Sequence, residues 1–395
     1  MSDVDESESE LSRRRFLRVS SLGSAAVVFG GTAALTACDP INLLAADANG
    51  LRVHPLFSGR VVATTGEVVP GTNYEWHLWP DGGAVFGLPD GGWSYVSNSE
   101  WFTIPEAGAG YIRFDANANI VDAGRCLSGT IRNCGGGKTP WDTWLSCEEI
   151  PTGSVWECDP LGATPAVERP LMGQFFHEAA ACHEDLEVIF LTEDRPDGAL
   201  YRFVPDTWGD LSAGTLEVLT EPANGPLTWV AVPDPTGDPV ETKDQVPDTK
   251  RFDGGEGIDI SDGLVVFTTK GDDRVWSYDP VANTVAVIYD AAINVNGVLT
   301  GVDNLVTSSS GVVYVAEDGG DMQIVLVRPD GSTFPVVQIE GNNTSEMAGP
   351  AFDPSGTRLY FSSQRDPGRT YEVTGPWSAF TEPGAFDADD LEFLS

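Results

Sequence analysis

The sequence is poor in histidine and in cationic residues. Only 4 of its 395 residues are histidine, which disfavours a zinc site built from imidazole ligands. Lysine and arginine total 22 against 60 aspartate and glutamate residues, and the net charge is −38. Such a charge repels nucleic acid and anionic membranes, so neither is an expected partner. Bound metal ions would be one local source of positive charge for an anionic substrate.

Long amphipathic helical patterns are also missing from the sequence. Its 44 glycines and 27 prolines punctuate short alternating apolar runs, with turn signals such as Pro80-Asp81-Gly82-Gly83 and Pro329-Asp330-Gly331. Alternating runs between tight turns are typical of β-strands and hairpins. The pattern therefore predicts an all-β protein.

An apolar strand that ends in polar or acidic residues recurs along the chain. The intervals between successive strand ends are 49, 44, 76, 48 and 47 residues, measured at Glu100, Glu149, Glu193, Thr269, Glu317 and Gln364. Intervals near 45 to 50 residues match one four-stranded propeller blade. We therefore predict a six-bladed β-propeller, with seven blades as the alternative, since the long interval contains either an insertion near residues 205–251 or a further blade.

Radial symmetry would bring these strand ends together around the central channel, where their acids could form a ring of oxygen ligands. The alternative is that acids end strands because charged groups are well solvated. One strand, Thr139–Glu149, ends in Cys147 followed by Glu148 and Glu149. A thiolate beside carboxylates is costly to bury without a cation, so this stretch indicates a metal site. The cysteines at 126, 134, 158 and 182 are left to form disulfides or to remain buried thiols.

The N-terminal region has the pattern of an export signal. Arg13-Arg14-Arg15-Phe16-Leu17 and the uncharged stretch that follows are typical of a twin-arginine signal over residues 1–37, with a membrane anchor as the weaker alternative. Leu35-Thr36-Ala37-Cys38 has the form of a lipoprotein cleavage site, which would leave Cys38 lipidated. We expect residues 38–60 to be a linker, residues 61–395 to be one propeller domain, and the protein to be periplasmic or extracellular. Any membrane attachment would be through Cys38.

Several motifs resemble the PhoX-like alkaline phosphatase family. They occur in consistent order between about Val61 and Gln364, at Ser128–Cys134, Thr139–Glu149, Phe176–Ala180, Leu191–Asp194, Gly255–Gly257, Val302–Leu305, Ala316–Gly319 and Ser345–Pro350. The resemblance implies a β-propeller that hydrolyses phosphomonoesters at a site holding Fe³⁺ and Ca²⁺. Carried over by motif, the implied metal ligands are Cys147, Glu149, Glu178, Glu256, Asp303, Glu317 and Glu346, with Glu100, Glu148, Glu193, Asn304 and Asp318 as second choices.

The sequence departs from the family pattern at the expected phosphate-binding arginine. The family has an Arg-Pro pair before the Glu-Gly, whereas this chain has Gly254-Gly255 before Glu256. We expect Lys270, Arg274 or Arg195 to replace that arginine. Two other functions stay open: a calcium-dependent lactonase or phosphotriesterase, which would contain no iron, and a non-catalytic propeller that calcium stiffens for partner binding.

Overall fold

The computed structural model describes residues 43–294, 297–308, 311–328 and 331–378. The twin-arginine signal and Cys38 lie outside these ranges. The described residues form six antiparallel sheets arranged as the blades of a β-propeller, which confirms the predicted fold with six blades rather than seven. No helix among the described residues is long and apolar enough to cross a membrane.

Blades 1 to 3 follow one another along the chain. Blade 1 contains β3 (Pro80–Gly87), β4 (Trp93–Ser99), β5 (Gly108–Phe114) and β6 (Ile120–Leu127). Blade 2 contains β7 (Asn133–Lys138), β8 (Trp144–Glu148), β9 (Val155–Cys158) and β10 (Val167–Glu168). Blade 3 contains β11 (His177–His183), β12 (Val188–Glu193), β13 (Gly198–Thr207), β14 (Asp210–Thr220), β15 (Thr228–Ala231) and β16 (Arg251–Phe252).

Blades 4 to 6 complete the ring, and the last two take strands from the N-terminal end of the described chain. Blade 4 contains β17 (Gly255–Ser261), β18 (Leu264–Thr269), β19 (Arg274–Asp279) and β20 (Thr284–Asp290). Blade 5 contains β21 (Val302–Thr307), β22 (Val313–Glu317), β23 (Gln323–Val327), β24 (Thr333–Ile339) and β1 (Leu51–Val53). Blade 6 contains β25 (Met347–Phe352), β26 (Arg358–Ser363), β27 (Arg369–Thr374) and β2 (Ser58–Thr64). Three short 3-10 helices lie at Pro170–Met172, Glu184–Leu186 and Thr242–Asp244.

Two predicted boundaries need correction. Residues 51–60 belong to the propeller rather than to a linker, because β1 pairs with β24 and β2 pairs with β27. The region 205–251 is only partly an insertion, because β14 is the fourth strand of blade 3. The segment after β14 adds β15 to the outer edge of the blade and returns through a 3-10 helix to β16.

The hydrophobic core is divided into six clusters, one between each pair of neighbouring blades. For example, Tyr95 of blade 1 stacks on Tyr360 of blade 6, with ring centroids 5.4 Å apart. The innermost strands approach closely near the axis: a Cβ added at Gly137 would lie 1.9 Å from the carbonyl oxygen of Ala180. The sheets are thus held together between the blades.

Candidate metal centre

The first strand of each blade has a register shift near its start. In blades 1 to 5 the residue directly after the first paired position is acidic or a cysteine, and these bulge residues are Asp81, Cys134, Glu178, Glu256 and Asp303. A β-bulge leaves residues unpaired and redirects their side chains. In this propeller the five bulge residues converge at one end of the axis.

A second set of polar side chains comes from the residue directly after the second strand of each blade. These ring residues are Glu100, Glu149, Asp194, Lys270, Asp318 and Gln364. Five of them line the cavity at the end of the axis. The sixth, Gln364, donates hydrogen bonds to Asp81, Glu100 and Glu346. Each blade therefore supplies one residue at this level.

The two sets surround a cavity of about 270 Å³. Its walls contain eight carboxylate residues and three cationic residues, an excess of five negative charges if all are ionised. The remaining lining residues are Trp79 and Cys134. A space of this size accommodates a small anion together with ions that balance the acids.

Each cation in the cavity is paired with acids. The Arg132 guanidinium lies 2.7 Å from both Glu100 and Glu149. The Lys270 ammonium lies 2.6 Å from Asp318 and 3.8 Å from Asp303. These cations come from blades 2 and 4, and Arg365 of blade 6 pairs with Glu346. Positive charge is thus distributed on alternate blades around the cavity.

Two carboxylate oxygen atoms at the deepest level accept no hydrogen bond. They are Oε2 of Glu178 and Oε1 of Glu256, and both are buried. Together with Asp303 they form a group whose oxygen atoms lie within 4.8 Å of one another. Three further groups of this kind are Glu100 with Cys134 and Glu149, Asp81 with Glu100 and Glu346, and Asp303 with Asp318 and Glu346. Buried oxygen atoms without donors are the arrangement that a cation would satisfy.

Burial and like charge raise the pKa values of these groups. Burial, reinforced by Glu100 and Asp303, raises the pKa of Asp81 to about 8. Burial raises the pKa of Asp303 to about 7, although Lys270 opposes this shift. The pKa values of Glu178 and Glu256 also lie well above the ordinary value for glutamate. Burial is the largest cause, and the negative charge of Asp303 is the second. Clustered acids with raised pKa values are typical of functional sites.

Cys147 does not lie in this cavity, which corrects the expectation that it supplies the metal thiolate. Its side chain is fully buried in the apolar cluster between blades 2 and 3, with Leu145 and Phe175. The strand β8 ends at Glu148, so strand alternation does not carry over from Cys147 to Glu149. Cys134 lines the cavity instead. Its Sγ atom lies within 4.8 Å of carboxylate oxygen atoms of Glu100 and Glu149, so the three could hold one metal ion.

Three expected acidic ligands are structural. These hairpin acids, Glu148, Glu193 and Glu317, each end the second strand of a blade. In each case one carboxylate oxygen accepts a backbone N–H from the residue six positions later, at 3.4, 3.1 and 3.0 Å respectively. They brace the turn between the second and third strands, and none of them lines the cavity.

The hairpin acids differ in whether their other partners are neutral or charged. Glu148 and Glu317 each accept a second backbone N–H from the residue 17 positions earlier, at 3.1 and 3.0 Å. Glu193 instead pairs with the buried Lys243 at 3.0 Å and accepts the hydroxyl of Tyr201. These contacts leave no reason to assign a metal ion to any of the three.

The remaining predicted residues separate into two groups. Asn304 lies among the cavity acids and donates to Asp303 at 2.8 Å. Lys270 lines the cavity, whereas Arg274 pairs with Asp272 and Asp290 outside it. The Arg195 guanidinium packs 4.8 Å from the ring centroid of Phe176 and does not line the cavity. Sequence reasoning missed further residues of the site, namely Trp79, Asp81, Arg132, Cys134, Asp194 and Arg365.

No disulfide forms among the five cysteines that the structure describes. Cys126, Cys158 and Cys182 are therefore thiols, and burial raises the pKa of each. Cys134 and Cys147 are also free thiols, the first in the charged cavity and the second in the apolar core. The sequence signal that could have identified Cys134 is its position directly before a run of glycines at the start of a blade.

Comparison with known proteins supports the fold and the family resemblance. The family model for alkaline phosphatase PhoX matches residues 96–159 and 151–259, less than half of the chain. This part of the chain contains seven of the cavity residues: Glu100, Arg132, Cys134, Glu149, Glu178, Asp194 and Glu256. The comparison with curated proteins finds no match.

Two solved structures with TM-scores above 0.5 share the fold, and a third resembles the chain more weakly. Pseudomonas fluorescens PhoX, in complex with vanadate as a transition state analogue, is 15% identical with a TM-score of 0.70, covering 85% of this chain and 98% of that one. A protein of unknown function from Bacteroides thetaiotaomicron is 9% identical with a TM-score of 0.51, covering 80% and 76%. A gluconolactonase from Xanthomonas campestris is 11% identical with a TM-score of 0.47, covering 85% and 98%. The family model and the shared fold confirm what the motifs indicate, that the chain resembles the alkaline phosphatase PhoX family.

Proposed function

We propose that the protein is a metal-dependent phosphomonoesterase, with iron and calcium bound by the cavity acids and Cys134. The observation that carries this proposal is the convergence of five bulge residues from five blades on one cavity that also contains three cations. Family resemblance supports phosphatase activity as the coarse assignment. The identity of the metals and the ester class are what the family resemblance implies, and the residue roles are our inference from the geometry.

The donor atoms fit the two proposed metals. The oxygen-only group of Glu178, Glu256 and Asp303, with two oxygen atoms that lack donors, suits calcium. The group that contains Cys134 with Glu100 and Glu149 offers a sulfur atom, which favours a softer transition metal such as iron. When bound, such ions polarise phosphoryl oxygens and lower the pKa of water.

Lys270 is our first candidate for the missing phosphate-binding arginine. Its backbone N–H donates to the carbonyl of Gly254 at 2.8 Å, so it is adjacent to the glycine that stands near the arginine position of the family. Its ammonium already faces Glu256 and Asp303, at 3.9 and 3.8 Å. We infer that a bound phosphate dianion replaces one of these two carboxylates as the partner of the Lys270 ammonium, because both anions compete for the same cation. Arg132 and Arg365 provide positive charge on the other sides.

The reaction consumes one water molecule for each ester. Oxygen from water forms a bond to phosphorus, the bond between phosphorus and the ester oxygen breaks, and the alcohol leaves with a proton. Cations around the cavity stabilise the charge that develops on the phosphoryl oxygens. The related fold of Pseudomonas fluorescens PhoX was solved with vanadate, a transition state analogue, and a vanadate-inhibited hydrolysis is what we propose for this chain.

Two cysteine variants test the proposal. Cys134→Ala should lose the iron and reduce hydrolysis of 4-nitrophenyl phosphate by at least about 100-fold, because loss of even an outer partner of a metal ligand costs 10- to 100-fold. The control, Cys147→Ala, removes a sulfur atom from the apolar core and should lower the melting temperature while the metal content stays unchanged. Elemental analysis and the assay are measured on both proteins.

Other outcomes identify the alternatives. Calcium without iron, together with hydrolysis of lactones or phosphotriesters instead of monoesters, would point to the calcium-dependent hydrolase. Bound calcium with no hydrolysis of any of these esters would point to a non-catalytic propeller. Loss of iron from Cys147→Ala but not from Cys134→Ala would contradict the assignment of the thiolate ligand.

We also propose that the protein is exported by the twin-arginine route and anchored through a lipid on Cys38. This proposal is supported by the sequence pattern of residues 12–38 alone. Its partners would be the export machinery and a small phosphate ester, with no nucleic acid. Mass spectrometry of the mature N-terminus tests it, because a lipidated Cys38 gives a fragment with a characteristic added mass and an unmodified leader does not.

A further inference from the structure

The residue directly before the first strand of each blade occupies an equivalent position in all six blades and is called the rim residue. These rim residues are Trp79, Arg132, Phe176, Gly254, Gly301 and Glu346. Four of them have a positive φ, with values of 46° at Trp79, 52° at Arg132, 71° at Gly254 and 58° at Gly301. Glycine adopts this conformation without penalty, whereas a side chain with a Cβ costs about 1–2 kcal/mol. The chain therefore has a tryptophan in blade 1 at the position that is a glycine in blades 4 and 5.

Trp79 lines the cavity as part of an aromatic wall composed of Trp79, Trp101 and Phe102. The ring centroids of Trp79 and Trp101 are 5.0 Å apart in an edge-on arrangement, and Phe102 stacks on Trp101 at 4.4 Å. Phe102 remains 52% exposed. The Arg365 guanidinium lies 5.1 Å from the Trp79 ring centroid and fixes the wall beside the charged groups.

The rim is asymmetric. Blade 1 carries the aromatic wall, whereas blade 4, opposite it in a ring of six, has Gly254 at the rim and Lys270 in the cavity. A phosphate held near Lys270 would therefore extend its ester substituent away from the charged residues and toward the aromatic wall. Flat apolar rings at the edge of a charged cavity suit a planar ring in the substrate.

We propose that the aromatic wall binds a planar aromatic group in the alcohol portion of the ester, so that the preferred substrates are phosphomonoesters of nucleosides or phenols. This inference rests on the proposed phosphatase function and adds the substrate class to it. Stacking of one base on an aromatic side chain is sequence-tolerant and changes affinity by about 5- to 100-fold when the side chain is removed.

The test compares adenosine 5′-monophosphate with ribose 5-phosphate. Both esters release the same type of primary alcohol, so they differ in the aromatic base and not in the chemistry at phosphorus. Trp79→Gly should lower the ratio of kcat/KM for the nucleotide to kcat/KM for ribose 5-phosphate about 10-fold, because only the nucleotide carries a base that the aromatic wall can bind. The glycine matches the rim residue of blades 4 and 5, so the backbone loses no stability. Phe102→Ala, at an exposed position, should act in the same direction with a smaller effect.

Trp208 provides the matched control. It forms an edge-on pair with Trp141 at 5.0 Å, the same separation as in the aromatic wall, but away from the cavity. Trp208→Ala should leave the ratio of the two kcat/KM values unchanged. Equal losses on both esters in Trp79→Gly, or a changed ratio in Trp208→Ala, would overturn the inference while the phosphatase function stands.

A binding measurement separates this inference from the proposed function. Calorimetry with adenosine, which has no phosphate to hydrolyse, should show binding to the wild-type protein that weakens about 10-fold in Trp79→Gly. Binding of inorganic phosphate should be the same in both proteins. If the wild type hydrolyses no phosphomonoester, the function fails, and weaker adenosine binding by Trp79→Gly still supports the aromatic site. Equal adenosine binding by both proteins, or none by the wild type, overturns it.

Discussion

The hairpin acids and the ring residues differ by a single position in the chain but have opposite roles. Glu148 is enclosed by backbone donors and Trp156, whereas Glu149 faces the cavity beside Arg132. The same contrast separates Glu317 from Asp318, which lines the cavity. The second strand of the blade ends between the two acids of each pair, so the last residue of the strand stabilises the turn and the next residue contributes to the site. An acidic pair at a repeat position therefore contains one residue of each kind.

The largest expected effect concerns the hairpin acid that has a charged partner. Lys243 and Glu193 are exposed by only 1% and 2%, so Lys243→Met leaves a buried carboxylate without its cation. Breaking a buried pair in this way costs about 3–5 kcal/mol. Urea denaturation should show this loss in the free energy of unfolding. The double variant Lys243→Met/Glu193→Gln should recover part of it, and a single variant as stable as the wild type would show that Glu193 needs no counter-ion.

The second prediction exchanges a cavity acid and a hairpin acid for their amides. Glu256→Gln should reduce phosphomonoester hydrolysis by at least about 100-fold, because it replaces one carboxylate oxygen of a proposed metal ligand with an amide nitrogen. Stability should stay nearly unchanged, because Oε1 of Glu256 accepts no hydrogen bond that the variant could lose. Glu317→Gln should instead cost about 1–3 kcal/mol, since one of its oxygens becomes an amide nitrogen facing a backbone donor. Activity assays and urea denaturation on both proteins measure the difference. Matching profiles for the two variants would remove the distinction between the two kinds of acid.

The third prediction uses pH on protein stripped of metal ions by a chelator. Asp81 and Asp303 have pKa values of about 8 and 7 in the folded protein, whereas in the unfolded chain they ionise near 4. The folded state therefore holds more protons between pH 4 and 8, and its stability falls as pH rises through this range. The charge of Glu100 also raises the pKa of Asp81, whereas the hydrogen bond between Glu346 and Asp81 lowers it, and Lys270 lowers the pKa of Asp303.

The slope is about 1.4 kcal/mol per pH unit for each group that retains its proton. Melting temperatures measured at pH 5, 6, 7 and 8 should decline, and Asp81→Asn should make the decline shallower. Protein loaded with metal ions should show a flatter profile, because bound cations compensate the ionised acids. A melting temperature that rises with pH in the stripped protein would contradict the raised pKa values.

The sequence predicts the fold more reliably than the exact side chains of the site. The repeat interval identifies six blades because each blade must bury a similar set of apolar strands. It does not identify which residue of an acidic pair faces the axis, since that depends on where the strand ends. The cavity is lined by Glu149, Asp194 and Asp318, whereas the motifs favour Glu317 over Asp318 and do not single out Asp194. Counting from the residue after each strand instead gives intervals of 49, 45, 76, 48 and 46 between the ring residues.

The bulges explain most of the other errors. A register shift has no strong signature in a single sequence, so the side chains that it redirects were seen as ordinary strand residues. The sequence pattern indicates only a turn at Asp81 and only a possible disulfide partner at Cys134. Cys147 seemed the better ligand because its neighbours in sequence are acidic, but its neighbours in space are apolar.

The pairing of β2 with β27 has a consequence for synthesis on the ribosome. Ser58 lies opposite Thr374. More than 300 further residues must therefore be synthesised before β2, the first long strand of the described chain, can pair with β27. During that time it presents an open edge, which is a known hazard for aggregation. The cavity is also incomplete until blade 6 closes, since that blade supplies Gln364 and Arg365. Protein released from the ribosome before residue 374 would therefore be expected neither to close its ring nor to retain ions.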